Sequence, residues 1–476
     1  MLCGRFADRE KEGKKQVANV QHRQPGIREA GLFRRLFGGD DFSKALLWPF
    51  SGILRIGLVL AVFFLLGLEP SWAEVAPDSK DVGGTEEKEP QRPLVSGWHS
   101  WRYNKFSSYD QLRVNFEKES AKGQKFLTSF HGLYYLEDDH KSWNTYLGET
   151  YYKFRTGPLD FRMGLLTETW GSGDKISFVD RLNSRRYHNG LANDYNRDKK
   201  EQACFRTTYY YNKRINVDLH YLPVFQASEL PGIFSRWATT FQKSVAQRVL
   251  MGATYQQEKD PSLKDQMHIA INTSYKSYEA RYHYFRFKDR VGVVDGISET
   301  NFRLMYPFEE TFAVDGNIPL SKDSLMRFEM AMTKNKTFSK FEGGIVGRAF
   351  TSDQYNMLLG TDKNFPGSLY MNVQVLVSYV PDLRYRTPFQ IAEVENSAAI
   401  QLKKGFNKDT LFVEVNGVGN LSTGEYILTP QVVYQINDYL KVTTGVHVNG
   451  KSTESMGPIG QFDKNNTAYF ETLASF

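Results

Sequence analysis

The residues best equipped for chemistry lie between Leu159 and Lys200, a stretch that begins LDFRMGLLTETWGSGDKISFVDRLNSRRYHNGL. Its first half alternates. Leu159, Phe161, Met163 and Leu165 fall on one side, and Asp160, Arg162, Gly164 and Glu168 on the other. A period of two marks a half-buried strand. At Trp170-Gly171 the alternation stops, and a polar segment runs to about Lys200, carrying Asp174, Asp180, Arg181, Arg185, Arg186 and Arg197. It is the longest well-marked interruption between strands. Carboxylates and guanidiniums dominate this segment. What they can do is set a transverse field at a constriction, as rings of charge do in channels. Three arginines (Arg181, Arg185, Arg186) against two aspartates (Asp174, Asp180) point to a mild anion preference. A structural role is compatible with this: Trp170, Asp180, Asn183 and Arg185 would pin the segment to a wall by hydrogen bonds and a salt bridge.

The rest of the chain offers no catalytic set. His131, His188, His220, His268, His283 and His447 are single and scattered, and HExxH, GxSxG and phosphate-loop patterns are absent. Of the two cysteines, Cys3 precedes an export segment and Cys204 is left alone, so no disulfide framework or thiolate metal site forms within one mature chain. No catalytic, cofactor or metal residues are therefore assigned, and the chain is read as a non-enzyme. The net charge of +6 is concentrated at the start. Residues 1–73 hold 11 of the 60 Lys/Arg and 7 of the 54 Asp/Glu, which leaves the remainder at +2. With no basic stripe, nucleic acid is excluded as a partner.

The elements that must position the charged segment are strands. No helical stretch of 3.6-residue period is evident after Pro93. Aromatic content is 14% and mean hydropathy is −0.49. Alternation is clearest in four places. Ile215, Val217, Leu219 and Tyr221 alternate with Asn216, Asp218 and His220. Met267, Ile269 and Ile271 alternate with His268 and Asn272. Leu369, Met371, Val373, Val375, Val377 and Tyr379 alternate with Asn372, Gln374 and Ser378. Leu440, Val442, Val446 and Val448 alternate with Lys441, Thr443, His447 and Asn449. The polar faces carry Arg162, Glu168, Asp218, His220, Arg281, His283, Arg327, Glu329, Glu414, Lys441 and His447. Burying these unpaired in a dry core costs several kcal/mol per ion. A wet lumen with the apolar face turned to lipid resolves that, and closure satisfies the backbone.

The expected fold is all-β, a single large antiparallel transmembrane barrel with an even strand number of about 22 (range 16–22). Short turns at Ala121–Gln124, Thr156–Pro158, Asn212–Arg214, Ala246-Gln247, Asn407–Asp409 and Asn437-Asp438 alternate with long connections. The long ones are Glu137–Asn144, Gly171–Lys199, Gln226–Ser235, Pro381–Val394 and Gly450–Thr467. Tight periplasmic turns and long outer loops follow that pattern, with both chain ends periplasmic and Gly171–Lys199 as the third outer loop. Trp98, Trp101, Tyr134, Tyr135 and Tyr209–Tyr211 read as interface girdles rather than a sugar-stacking path.

Three regions follow in order. Residues 1–73 are a leader and signal peptide: Lys44 and Arg55 flank the apolar run Ile56–Leu68, and Ser71-Trp72-Ala73 is a cleavage pattern. The run is 13 residues long, short of the ~20 that span a bilayer. Residues 1–45 read either as an extended leader or as lying upstream of the true start. Residues 74–94 are a charged, disordered periplasmic lead-in, and 95–476 the barrel. The last strand, AYFETLASF, places Phe470 and Phe476 on one face, a candidate signal to the barrel-assembly machinery.

At Gly164, Trp170, Gly171 and Asp174 the chain reads GxxxxxWGxxD, and at Asp180, Leu182, Asn183 and Arg185 it reads DxLNxR. With the closing GQFDKNNTAYFETLASF, these motifs resemble a largely uncharacterised family of bacterial outer-membrane, porin-like barrels over most of Trp98–Phe476. Ser184 departs from the family pattern, where a proline is expected. The resemblance implies an outer-membrane location and a barrel fold, not a substrate. The combined expectation is a passive channel for small polar solutes, embedded in outer-membrane lipid and needing no cofactor. The alternatives are an adhesive or structural barrel and, further off, a barrel-embedded hydrolase.

Overall fold

The structure is a computed structural model. It describes residues 95–475 except 104–106, 121–122, 138–139, 175, 188–197, 234, 259–265, 299, 343–344, 384, 389, 391, 452–456 and 458, and the side chains of 98–109, 135–142 and 342. The expected leader (1–73), the expected lead-in (74–94) and Phe476 lie outside the described residues.

The first strands are β1 (Val95–Tyr103), β2 (Ser107–Glu119), β3 (Lys125–Glu137), β4 (His140–Thr156), β5 (Leu159–Leu166), β6 (Gln202–Tyr210) and β7 (Ile215–Leu222). Next come β8 (Thr254–Gln257), β9 (Gln266–Tyr275), β10 (Tyr278–Lys288), β11 (Val293–Ser298), β12 (Asn301–Met305), β13 (Phe308–Ser321) and β14 (Ser324–Glu342). The last are β15 (Ile345–Phe365), β16 (Leu369–Tyr379), β17 (Val394–Phe406), β18 (Leu411–Asn420), β19 (Glu425–Asn437), β20 (Leu440–Gly450) and β21 (Thr467–Ser475). Eighteen of these form one antiparallel sheet. β7 pairs with β9, β10 with β13, and β21 with β1, where Trp98 faces Leu473. The sheet is therefore closed and has no free edge, the solution a bilayer imposes on a strand protein.

The strand number is eighteen, not about 22. Three short strands that would raise the count, β8, β11 and β12, lie in the connections on the long-loop side and form a separate small sheet, with β12 parallel to β8. In addition, β14 and β15 are single strands of 19 and 21 residues. The parity is even, and Ser96 opposite Ser475 puts both described ends at the short-turn side.

Two connections were misread. Ala246-Gln247 is not a turn but part of helix α1 (Thr240–Leu250), so the expectation of no helix after Pro93 also fails. Thr239 and Gln242 close a capping box at the helix start. Its apolar positions Phe241 and Val245 lie one turn apart, too brief a periodicity to stand out in sequence. Glu137–Asn144 is not a long loop: β3 and β4 run on and pair Glu137 with His140.

Side chains divide by pleat as the alternation requires. On β15, Leu359 is 46% exposed on the outer face while Leu358 beside it is fully buried inside. On β19, Tyr426 and Tyr434 bracket Leu428 and Val432, all exposed, a girdle-and-band pattern. Phe470 belongs to the same outer face. Tyr209, Tyr210 and Tyr211 are exposed beside the 211–214 turn. The side chains of Trp98, Trp101 and Tyr135 lie outside the described residues, and Tyr134 packs against Trp143.

An arginine at Val375, mid-strand on the outer face of β16, is expected to destabilise the barrel in lipid vesicles by about 2–4 kcal/mol. Urea unfolding followed by tryptophan fluorescence checks this, with an outward turn residue such as Lys322→Arg as the neutral control.

Candidate functional site

The third connection on the loop side, residues 167–201, begins where β5 ends, and Gly164 shows why the strand closes as it does. Its φ is 139°, and a Cβ there would stand 2.0 Å from the carbonyl oxygen of Thr150 on β4.

Asn183 ties the root of the loop together. Its Nδ2 donates to the carbonyls of Leu166 (3.0 Å) and Lys200 (2.7 Å), and its Oδ1 accepts from the Glu168 N–H (2.9 Å). Asp180 is a second tie. It accepts from the Trp170 N–H and is bridged to Arg185 (2.8 Å) and Lys199 (2.7 Å). All four polar side chains, Asn183, Asp180, Arg185 and Lys199, are buried. Burial holds the Lys199 ammonium below the ordinary lysine range, with Asp180 pulling the other way. The neighbouring Arg290, buried in the fifth connection, spans three elements. It donates to Gln202 (3.0 Å) on β6, to the Gln226 carbonyl (3.1 Å) and to the Arg181 carbonyl (3.4 Å). Burial lowers it to about 10. Ser184, where a proline was expected, is fully buried, and its hydroxyl reaches Gln226 (3.4 Å).

Trp170 turns inward and packs on three stacked imidazoles, with ring centroids 5.3, 4.8 and 5.5 Å from His220, His268 and His283. These belong to β7, β9 and β10 and form one chain. His220 meets His268 at 3.3 Å, His268 meets His283 at 3.0 Å, and His283 meets Asp315 of β13 at 2.6 Å. Phe285 and Phe287 complete the seat, together with Val179 and Leu182 of the loop.

Beyond Trp170 the loop crosses to the opposite wall. Glu329 of β14, fully buried, is caged by it. The N–H groups of Ser172, Gly173 and Phe178 donate to its carboxylate at 2.7–2.8 Å, and the Ser177 hydroxyl donates at 2.8 Å. The cage needs glycine at position 171: φ is 93°, and a Cβ would stand 2.5 Å from Glu329 Oε1. Further contacts fix the crossing. Arg281 donates to the Gly171 carbonyl (2.9 Å) while paired with Asp315, and Arg327 donates to the Ser172 carbonyl (3.0 Å) while paired with Asp362. Asp174 meets Arg327 (3.2 Å) and Asn372 (2.9 Å). Ile176 and Phe178 pack on an inward apolar patch of Leu358, Leu376, Ala399 and Val418 from β15 to β18. On the return limb, Arg181 reaches Glu309, Thr311 and Thr333. Arg186 lies 4.4 Å over the Tyr146 ring on β4 and 3.4 Å from Glu201.

The segment thus lies against the inner wall from β4 to β18, and all seven candidate residues sit in it. They split into root ties (Trp170, Asp180, Asn183, Arg185) and wall contacts (Asp174, Arg181, Arg186). The three arginines are all paired: Arg181 with Glu309, Arg185 with Asp180, and Arg186 with Glu201. Sequence reasoning missed Glu309, Asp315, Asp362 and Arg290. The first three sit on the polar face of alternating strands and were findable there. Phe285, Leu358 and Leu376 carry a further signal, since they are apolar residues on otherwise polar faces, where the loop lands.

No family profile matches the chain, and no curated protein sequence does. Among solved structures it is similar to Pseudomonas aeruginosa OccD3 (OpdP), with TM-score 0.47 and 10% identity over 81% of this chain and 91% of that one. It is also similar to Acinetobacter baumannii OccAB1, with TM-score 0.46 and 12% identity over 80% and 95%. For the outer membrane channel DcaP of Acinetobacter baumannii the values are 0.39 and 8% over 80% and 95%. At these values the likeness does not carry a function across.

Glu329→Ala removes the acceptor for three loop N–H groups. Because bonds to a charged group are worth about 1.5–3 kcal/mol each, amide exchange at Ser172, Gly173 and Phe178 is expected to accelerate by about tenfold or more. Hydrogen exchange read by mass spectrometry checks it, and Glu310→Ala, on the outer face of β13, serves as control.

Proposed function

We propose that the protein is an outer-membrane, porin-like channel through which small polar solutes pass passively. The third loop is its constriction. The observation that carries this reading is a closed eighteen-strand ring whose inner face is ionised and whose third loop is docked inside it. With strands about 4.8 Å apart and tilted by about 40°, such a ring is roughly 35 Å across its backbone. Wall side chains alone do not fill that width. The loop occupies the side bounded by β4 to β18. The remaining wall, from β18 through β21 to β3, presents polar groups inward, among them Glu414, Gln431, Thr443 and Asn115, of which Gln431 bonds Glu414 (2.6 Å). A lining of paired charges and amides suits hydrated solutes rather than hydrophobic ones. The outward apolar band supports a setting in lipid, and the chain ends and short turns are read as periplasmic. Phe470, with Phe476, is read as the assembly signal.

Planar-bilayer recording of the refolded protein is expected to show discrete conductance steps. Removing residues 172–178 is expected to raise the step size by about twofold or more, since the constriction is then wider. Absence of steps in both proteins rejects the channel. Equal steps in both remove the loop from the pathway while leaving the channel intact.

A further inference from the structure

Counted round the closed sheet from β1, β7 and β9 stand seventh and eighth, β14 and β15 eleventh and twelfth, and β20 and β21 seventeenth and eighteenth. The fourth connection, residues 223–265, leaves from β7 and returns to β9, yet it touches the rim at both of the other places.

At the β20–β21 side it meets the ninth connection, residues 451–466. Asn465 Nδ2 donates to the Arg236 carbonyl (2.9 Å), Arg236 donates to Thr467 (3.0 Å), and Trp237 packs on Phe462 with ring centroids 5.6 Å apart. The Thr240 N–H, one of the first-turn donors a helix leaves orphaned, is satisfied by Gln461 Oε1 at 2.8 Å. Trp237 is 2% exposed, so the contact is packed rather than grazing. The ninth connection is itself anchored, because the buried carboxylate of Glu425 accepts from the N–H groups of Gly457 (2.7 Å) and Ile459 (3.3 Å). At the β14–β15 side, Phe241 and Val245 of α1 pack with Phe341 and Val346 at the top of that tall hairpin, joined by Val294 and Phe302 of the small sheet. Strands β7 and β21 are seven places apart on the ring, nearly the full width of roughly 35 Å. Segments rooted there cannot touch along the rim; they meet over the opening.

We propose that Ser235–Gly252 and Ile459–Thr467 form a roof across the outer opening and that this roof fixes an upper size limit before a solute reaches the third loop. The roof rests on the channel reading and adds to it a second filter at the outer end of the barrel. Solutes pass at its open sides, between the rim at β15 and at β20 and between the rim at β21 and at β7. Trp237, Gln461 and Asn465 are its specificity-determining residues, since they hold the two connections together.

The test compares the full mature chain with Trp237→Ala/Gln461→Ala/Asn465→Ala by swelling of proteoliposomes in monosaccharide, disaccharide and trisaccharide. Gel mobility of unheated samples reports folding. The rate for trisaccharide relative to monosaccharide is expected to rise about fivefold in the variant, with the monosaccharide rate within about twofold of wild type, because only the size cut-off moves. Gln461→Ala alone, which removes one helix-capping bond, is measured alongside as the milder perturbation and is expected to move the ratio the same way. A size ratio unchanged in both folded variants overturns the roof as a filter while the channel stands. A variant that swells where wild type does not also supports the roof as a barrier. No swelling by either protein overturns the channel reading and the filter with it.

Discussion

The structure depends on mutual neutralisation between a charged inner wall and a charged loop. Glu309, Asp315, Glu329 and Asp362 project from neighbouring strands β13, β14 and β15 into the ring, and all four are buried. Four buried carboxylates in one region are untenable without counter-charges or donors. The wall supplies Arg281 and Arg327, and the loop supplies Arg181 and the N–H cage around Glu329. Lys336 of β14 also pairs with Glu309, so the wall partners three of the four itself, and Glu329 is the one whose donors come from the loop.

The apolar contacts fix where along the wall this happens. Trp170 on its histidine seat holds the entering limb, and Ile176 with Phe178 on the Leu358–Leu376–Ala399–Val418 patch holds the tip. Hydrogen bonds then set the register within those limits. The imidazole chain has a direction. Asp315 accepts from His283, which makes each ring in turn a donor toward it and leaves His220 Nε2 as a buried, unpartnered acceptor. The rings serve as a flat platform for the indole, a use of histidine distinct from catalytic pairing.

Much of this was legible in the sequence. Period-two alternation with polar and ionised residues such as Asp218, His220 and Arg327 on one face pointed to the fold class, although Asp218 and His220 prove to be buried and partnered inside the ring rather than wet. The loop was legible as a break in that alternation, and its root ties, Asp180, Asn183 and Arg185, as the polar residues of its motif. The strand number was not, because pairing partners are a non-local property, and nothing local separates short extended runs such as β8, β11 and β12 from barrel strands. Helix α1 was not, because its eleven residues have a capping box but little periodicity. The neutralisation of Arg181 by Glu309, 128 residues away in sequence, was hidden for the same reason as the pairing. A charge count within the loop therefore leaves out the wall carboxylate that Arg181 meets.

The position of the loop inside the ring can be measured directly. In a Cys204→Ser background, Asp174→Cys and Asn372→Cys place thiols on side chains that lie 2.9 Å apart at their polar tips. That spacing suits a short bismaleimide, with an arm of about 8 Å, better than a direct disulfide, which needs closer Cβ atoms. Intramolecular cross-linking of the folded protein in lipid vesicles, read by mass spectrometry of the linked peptides, is the predicted result. Failure to link, with each thiol still reactive to a single maleimide, would place the loop outside the barrel and contradict the account.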